Sequence, residues 1–363
     1  VTGVQTCALP ILAIHEESAI AIAHGYSKIS DRMMASAVHA NIGLLRAPMA
    51  IYNAWCDRAP ILILGATGPW DAKERRPWID WIHTSSDQGG LIRNFTKWDN
   101  QPGSIPAAIE ALLRGSQIAQ TAPRGPVYIN LDAALQEARE QAPVAIPDPA
   151  RYAAGVAPPP AAADVQRAAA MLKASSKPVI LMGRMSRDAT DWTRRVALAE
   201  ALQAAVVTDL KNPACFPTAH PQHAGSPGYF MSPEACAAVR EADAVLMLDW
   251  VDPGGAFKQA LQGAACEARV IHVSLDMHLH RGWSMDGGSL PPADVMMLCE
   301  PDAAVAALLE VCEARPARVW PSRTELPPPA GDDQMSLRQL AVVDRKSTRL
   351  NSSHANISYA VFC

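Results

Sequence analysis

Short runs of apolar residues alternate with stretches of helical period through most of the chain. Ile61-Leu62-Ile63-Leu64 is bounded by Pro60 and Gly65 and reads as a buried strand. Comparable runs predict strands over residues 34–38, 60–64 and 126–131, with helices over 16–29 and 105–120. Pro48 cannot sit deep inside a helix without losing a hydrogen bond, so a further helix is expected to start near Ala47, with Pro48 in its first turn. Residues 141–163 are rich in proline and alanine, including Pro158-Pro159-Pro160, and read as a connector. Strands are then expected at 178–182, 204–208, 244–248 and 269–273, with helices at 164–174, 189–203 and 302–312. A second connector, 315–335, carries Pro327-Pro328-Pro329, and Ser336 is placed to cap a helix containing Leu337 and Leu340. This alternation predicts an α/β protein with two domains, 12–140 and 164–314. Each is expected to be a parallel sheet between two helix layers, and 336–343 would open a third domain.

The two ends stand apart from this pattern. Residues 1–11 and 344–363 each read as the translation of a sequencing-library adapter and are left out of the fold reasoning. On that reading the native stretch is a fragment truncated at both ends. Charge narrows the partners: 32 basic against 36 acidic residues give a net charge of −4, with no basic run to mark nucleic-acid binding. No apolar run approaches the roughly 20 residues of a membrane span. Cys56, Cys215, Cys236, Cys266, Cys299 and Cys312 are scattered without CxxC or zinc spacing, as in a reduced cytoplasmic protein. His220-Pro221-Gln222-His223 and His278-Leu279-His280 lack a companion carboxylate cluster and read as loop or surface histidines, so no metal site is expected there.

Three short segments carry candidate chemistry. His15-Glu16-Glu17-Ser18-Ala19, running on to Gly25-Tyr26, sets two carboxylates at the mouth of an apolar helix. Helix-dipole stabilisation of a first-turn acid accounts for Glu17 and, taken alone, for Glu16. Val38-His39-Ala40-Asn41-Ile42-Gly43 puts an imidazole at the end of a strand, where α/β folds present ligand-facing groups. Asp80-Trp81-Ile82-His83-Thr84 adds a second. A neutral imidazole both donates and accepts near pH 7; the alternative for either ring is a structural bond to backbone. Trp70, Trp78, Trp81 and Trp98 crowd the same region and are expected in the core or a subunit interface, with substrate shaping by Trp78 or Trp81 the alternative. Gly183-Arg184-Met185, between a strand and a helix, has the placement of a phosphate turn but not the spaced glycines of GxGxxG.

Taken together, the Glu16 and His39 segments resemble the pyrimidine-binding domain of thiamine-diphosphate enzymes of the acetolactate synthase and benzoylformate decarboxylase type. The resemblance is specific over 12–131 and looser over 164–313. It implies that Glu16 bonds the cofactor's aminopyrimidine, in an apolar setting supplied by Ile14, Ala19, Ile20 and Ala23. Glu16 and Gly43 are then the cofactor-binding residues, and Glu16, His39 and His83 the catalytic ones. His39 stands where acetolactate synthases usually carry Gly-Pro-Gly, a departure that favours the decarboxylase side. His83 matches the second member of a histidine pair, with Ile82 replacing the first. Asp87-Gln88, Thr96-Lys97-Trp98 and Gly125-Pro126-Val127-Tyr128-Ile129 resemble landmarks of the same family, mainly structural ones.

The family's Gly-Asp-Gly and paired-asparagine element, which holds Mg2+ and diphosphate, does not occur here, and Gly287-Gly288 is no substitute. The resemblance therefore implies a 2-oxo acid substrate, thiamine diphosphate, Mg2+ held through another domain, and a homodimer or homotetramer with sites between subunits. It also implies that this stretch alone is inactive. FAD in the central domain is a lesser expectation. Acetolactate synthase proper, condensing pyruvate, and a non-catalytic nucleotide-binding or assembly paralogue stay open as alternatives.

Overall fold

In the computed structural model, residues 11–139, 144–225, 228–279 and 289–320 are described, so the expected helix after Ser336 and His280 lie outside them. Two sheets form, both parallel throughout. The first has the order β1-β2-β4-β3, from β1 (Met34–Ala37), β2 (Ile61–Thr67), β3 (Trp98–Asn100) and β4 (Val127–Asp132). Its helices are α1 (Glu16–Ser30), α2 (Ala40–Arg46), α3 (Pro48–Cys56), α4 (Ile105–Gln120) and the short α5 (Ala133–Glu137). Apolar residues on successive strand positions serve opposite faces, as the two-residue period requires. Ile61 and Ile63 pack with Ile20 of α1, Leu44 of α2 and Ile51 of α3, whereas Leu62 packs with Val127, Ile129 and Ala111 of α4. Covering both faces is why β2 reads as a continuous apolar run.

The second sheet has the order β6-β5-β7-β8-β9. Its strands are β5 (Pro178–Met182), β6 (Ala205–Thr208), β7 (Ala244–Leu248), β8 (Arg269–Val273) and β9 (Val295–Met297). The helices are α6 (Ala162–Ala174), α7 (Ala189–Leu202), α8 (Pro233–Glu241), α9 (Pro253–Leu261) and α10 (Pro301–Val311). Ile180 and Met182 pack toward Leu172 of α6, Leu198 of α7 and Leu308 of α10. Val179 and Leu181 pack toward Val239 of α8 and Phe257 of α9 on the other face. Each sheet is thus the middle layer of three, as expected from the sequence.

Several elements differ from expectation. Helix α2 begins at Ala40 and includes Gly43, so His39 is its N-cap and lies two residues past the end of β1 rather than closing that strand. Helices α8 and α9 were not foreseen, although Ser232-Pro233 and Asp252-Pro253 cap them: Ser232 Oγ accepts from Ala235 N at 3.2 Å and Asp252 Oδ1 from Gly255 N at 2.9 Å. Strands β3 and β9 are three residues each, too short to show a period. Trp70, Trp78 and Trp81 are exposed at 58, 75 and 72%, so the core placement fails for them; they lie in the irregular stretch after β2, and of the four only Trp98 is half-buried. His223 is buried rather than on the surface, its Nε2 2.8 Å from Thr208 Oγ1. Among the described residues, no helix is long and apolar enough to cross a membrane and all six cysteines are free thiols.

The turn after α3 ties the two halves together. Asp57 holds α1 by accepting from Lys28 Nζ at 2.6 Å and pairing with His24 Nε2 at 2.8 Å. Next to it, Cys56 offers its carbonyl to Arg184 Nη1 at 2.9 Å, beyond β5 in the second half.

Candidate active site around helix α2

Helix α1 starts at Glu16 and is capped by His15, whose Nδ1 accepts from Glu17 N at 3.2 Å. The cap places the half-buried Glu16 carboxylate against α2. There the approach is so close that a β-carbon added at Gly43 would lie 2.9 Å from Glu16 Oε1 and 3.0 Å from its Cγ. A side chain there would push the Glu16 carboxylate aside, which gives Gly43 a physical reason to sit inside a helix where it costs stability. Of the apolar setting expected for Glu16, Ile20 and Ala23 are buried on α1 and Ala19 is half-buried. Ile14 is fully exposed, because it precedes the helix and turns away from α1's packed face, so it is removed from that setting.

His39 is the α2 N-cap but makes no side-chain cap bond, and its side chain is exposed. Its carbonyl instead accepts from Gly43 N at 2.5 Å, so the helix's first turn joins the imidazole to the glycine that faces Glu16. Ala40, immediately after it, has φ 42°, a left-handed conformation costing a β-carbon residue about 1–2 kcal/mol. Non-glycine strain of this kind clusters where a side chain must be aimed.

His83 follows the 3-10 turn Asp80–Ile82. Its ring lies 5.0 Å from that of His39, edge to face at 69°. Nδ1 of His83 is 3.0 Å from the carbonyl of Ile79, and since a carbonyl only accepts, Nδ1 carries a proton, which in the neutral ring leaves the lone pair on Nε2. Asp80, which sequence reasoning passed over, anchors this turn: it is buried and accepts from Arg76 N at 2.5 Å and Arg76 Nη2 at 3.0 Å. The Arg76 amide, and then its guanidinium, hold the Asp80 carboxyl below its ordinary range. Thr84 Oγ1 donates to the Asp80 carbonyl at 2.6 Å. A short polar motif around a buried aspartate was the available signal for it.

The structure therefore brings Glu16 to Gly43 and His39 to His83, with α2 common to both pairs. Behind them, fully buried Gln88 donates from Nε2 to the Ala66 carbonyl at 2.8 Å and to Tyr128 Oη at 3.0 Å, a bond that crosslinks β2 and β4. Lys97 closes α4, donating to the carbonyls of Ile118 at 2.5 Å and Thr121 at 2.6 Å, and burial lowers its amine to about 8.

Residues 9–90 match the model of the thiamine pyrophosphate enzyme N-terminal TPP-binding domain, and residues 165–281 match that of the family's central domain. The chain belongs to the thiamine pyrophosphate enzyme family. Curated relatives include a probable acetolactate synthase large subunit of Methanocaldococcus jannaschii, 27% identical over 73% of this chain and 44% of the relative. A benzoylformate decarboxylase of Pseudomonas aeruginosa is 26% identical over 58% of this chain and 39% of the relative. The chain thus spans under half the length of these relatives. The fold is that of a thiamine diphosphate-dependent 4-hydroxybenzoylformate decarboxylase of Rhodococcus jostii, with a TM-score of 0.71 at 19% identity over 93% of this chain and 61% of the other. It is shared as well by benzoylformate decarboxylase of Polynucleobacter necessarius, with a TM-score of 0.69 at 20% identity over 90% of this chain and 58% of the other.

The residues present fit the pyrimidine half of the family's cofactor. The segment matching the TPP-binding model holds a carboxylate against a bare α-carbon, and Asn41 Oδ1 in the same turn is buried without a hydrogen-bond partner. A buried acceptor left unpaired is costly unless a donor reaches it, and an aminopyrimidine carries donors. For the metal the fit is different: among the described residues no cluster of three His, Cys, Asp or Glu side chains could hold an ion.

Proposed function

We propose that Glu16, His39, His83 and Gly43 form the pyrimidine-side half of a thiamine diphosphate site, in an enzyme that decarboxylates or carboligates a 2-oxo acid. The observation that carries this reading is the Glu16 carboxylate lodged against the α-carbon of Gly43 within the TPP-binding match. Bound there, thiamine diphosphate supplies a carbon nucleophile that stabilises negative charge after carbon dioxide leaves a 2-oxo acid. The chain's own contribution is positioning and proton traffic. Glu16 would share a proton with the ring nitrogen of the pyrimidine, and Gly43 gives the carboxylate room to face it. His83, donating from Nδ1 to Ile79, leaves Nε2 as the free ring nitrogen, with its ring edge to face against that of His39. His39 can then be oriented by His83 while its exposed ring meets the substrate.

Mg2+ and the diphosphate enter this reading through residues other than those described, and FAD is not required. Homodimers or homotetramers, with each site completed by a second subunit in the cytoplasm, belong to the same proposal. The exposed His39 ring and left-handed Ala40 favour a histidine-using decarboxylase over acetolactate synthase proper.

The test is Glu16→Gln in the full-length protein with thiamine diphosphate and Mg2+, assayed for carbon dioxide release from benzoylformate and for condensation of pyruvate. A loss on the order of 100-fold or more is expected. Near-normal turnover by Glu16→Gln would overturn the assignment, and FAD-dependent pyruvate condensation would favour the synthase reading.

A further inference from the structure

The second sheet has its own ligand-binding geometry. β5 pairs with β6 on one side and β7 on the other, so the chain reverses its direction of travel across the sheet at β5/β7. Open parallel sheets bind ligands beyond the carboxyl ends of the strands at such a point. Gly183-Arg184 follows β5, Asp249 follows β7, and Ser274 and Asp276 follow β8.

That crevice is filled by the chain itself. Arg184 Nε and Nη2 donate to Asp249 Oδ2 and Oδ1 at 2.9 and 3.1 Å. Ser274 Oγ donates to Asp249 Oδ1 at 2.8 Å. Into this cluster comes Arg58 from the first domain, donating to Asp249 Oδ2 at 2.8 Å and, in a closer contact, to Asp276 Oδ1. Arg58 and Asp249 have side-chain exposures of 9 and 2%, so the four charges are removed from water and compensate one another. Both residues sit at positive φ, 53° and 50°, as does Ala40 at the other site.

The amides that could cradle a phosphate are also committed. Gly183 N donates to the Leu248 carbonyl at 2.9 Å and Arg184 N to that of Asp249 at 3.0 Å. Ser186 N donates to Asp302 Oδ2 at 2.9 Å, and at the start of α7 the amides of Thr190 and Asp191 donate to Asp188 Oδ1 at 2.8 and 3.1 Å. Asp302 is itself fixed by buried Arg195, whose Nε donates to Oδ1 at 2.7 Å. A phosphate would have to displace carboxylates from their own donors. Gly183 has a different explanation: any β-carbon there would run into the carbonyl of Asp249, so the glycine serves the close approach of two backbones.

We infer that the β5/β7 crevice is a socket for Arg58, not a nucleotide site, and that the socket fixes the 56–58 turn and helix α1 against the central sheet. Asp57 carries the connection to α1 through His24 and Lys28, and Lys28 Nζ also reaches the Lys211 carbonyl of the central domain at 3.0 Å. This inference is independent of the thiamine reading.

The test uses the full chain in two measurements. ADP and FAD are titrated by calorimetry, and amide hydrogen exchange is compared between wild type and Arg58→Met. Neither nucleotide is expected to bind saturably at millimolar concentration. Arg58→Met is expected to raise exchange about tenfold or more at residues 183–188 and 24–30 together, with α4 unchanged. Arg58→Lys should restore part of the protection, and if Arg58→Met does not fold, Arg58→Lys is expected to show a smaller rise over the same two segments together. Stoichiometric micromolar binding of ADP or FAD would overturn the socket, and so would altered exchange confined to the 56–60 turn or spread evenly over the chain.

Discussion

Both sheets end in the same kind of place, the carboxyl edge of parallel strands, but one edge is left open and the other is filled. Beyond β1 the chain exposes an imidazole, holds Ala40 in a costly conformation and leaves the Asn41 oxygen unpaired. Beyond β5 and β7, two guanidiniums and two carboxylates pair with one another out of water, although Arg58 Nε stays without a partner. Strain appears at both, so strain alone does not mark the reactive edge. Charge pairing separates them more sharply: beyond β1 the His39 ring is exposed, whereas beyond β5 and β7 the carboxylates are held by Arg184 and by Arg58 from the neighbouring domain.

The contrast can be broken most forcefully at Asp249. Asp249→Ala leaves Arg58 and Arg184 buried with Asp276 as the one carboxylate still bonded to them, and denaturant unfolding should show a loss of about 3–5 kcal/mol. A loss under about 1 kcal/mol would mean that the filled edge contributes little. At the open edge, Gly43→Ala forces the Glu16 carboxylate aside, but alanine regains about 1 kcal/mol of helix propensity, so the net cost by the same measurement should be under about 1 kcal/mol. Its effect on thiamine diphosphate affinity in the full-length protein should be proportionately larger than its effect on stability. Ala40→Gly should go the other way, stabilising by up to about 1 kcal/mol while loosening the aim of His39.

The subtlest difference is in pH response. His272, buried on β8 with neither ring nitrogen partnered, has its pKa lowered below 6.5 by burial, with the Arg58 and Arg184 charges acting the same way and Asp249 opposing. The unfolded chain therefore takes up the proton first, and stability falls as pH drops below about 6.5 and continues falling to the lower folded-state pKa. Melting temperatures of wild type and His272→Leu should diverge below that pH, the variant declining less. Parallel curves would remove His272 from the account.

How much of this was legible depended on how far each feature reaches along the chain. Helix α4 was placed to the residue, because Ser104 and Pro106 mark its start and its period is unbroken. The β5, β7 and β8 limits were equally plain, as apolar runs bounded by polar residues. Helix α2 was not, because Asn41 and Gly43 are poor helix formers and the segment is held by packing against α1 and β2. Glu16, His39 and His83 are singled out by the family resemblance of their segments, since the local pattern alone leaves each a structural role, and the 5.0 Å approach of the two imidazoles is a product of the tertiary fold. Arg58 had no signal at all. In sequence it is one cation in a polar turn, and its partners lie 191 and 218 residues away.

The His83 bond to Ile79 has a stereochemical consequence. With Nδ1 committed to a backbone carbonyl, the ring has one open door. In the proposed role, a proton that enters at Nε2 would leave by Nε2, and His83 would be a single-place reservoir and not a wire. Any atom it first deprotonates and then reprotonates is addressed from one side only. Handedness at that atom would be dictated by a peptide group on the far side of the ring, out of reach of the substrate it governs.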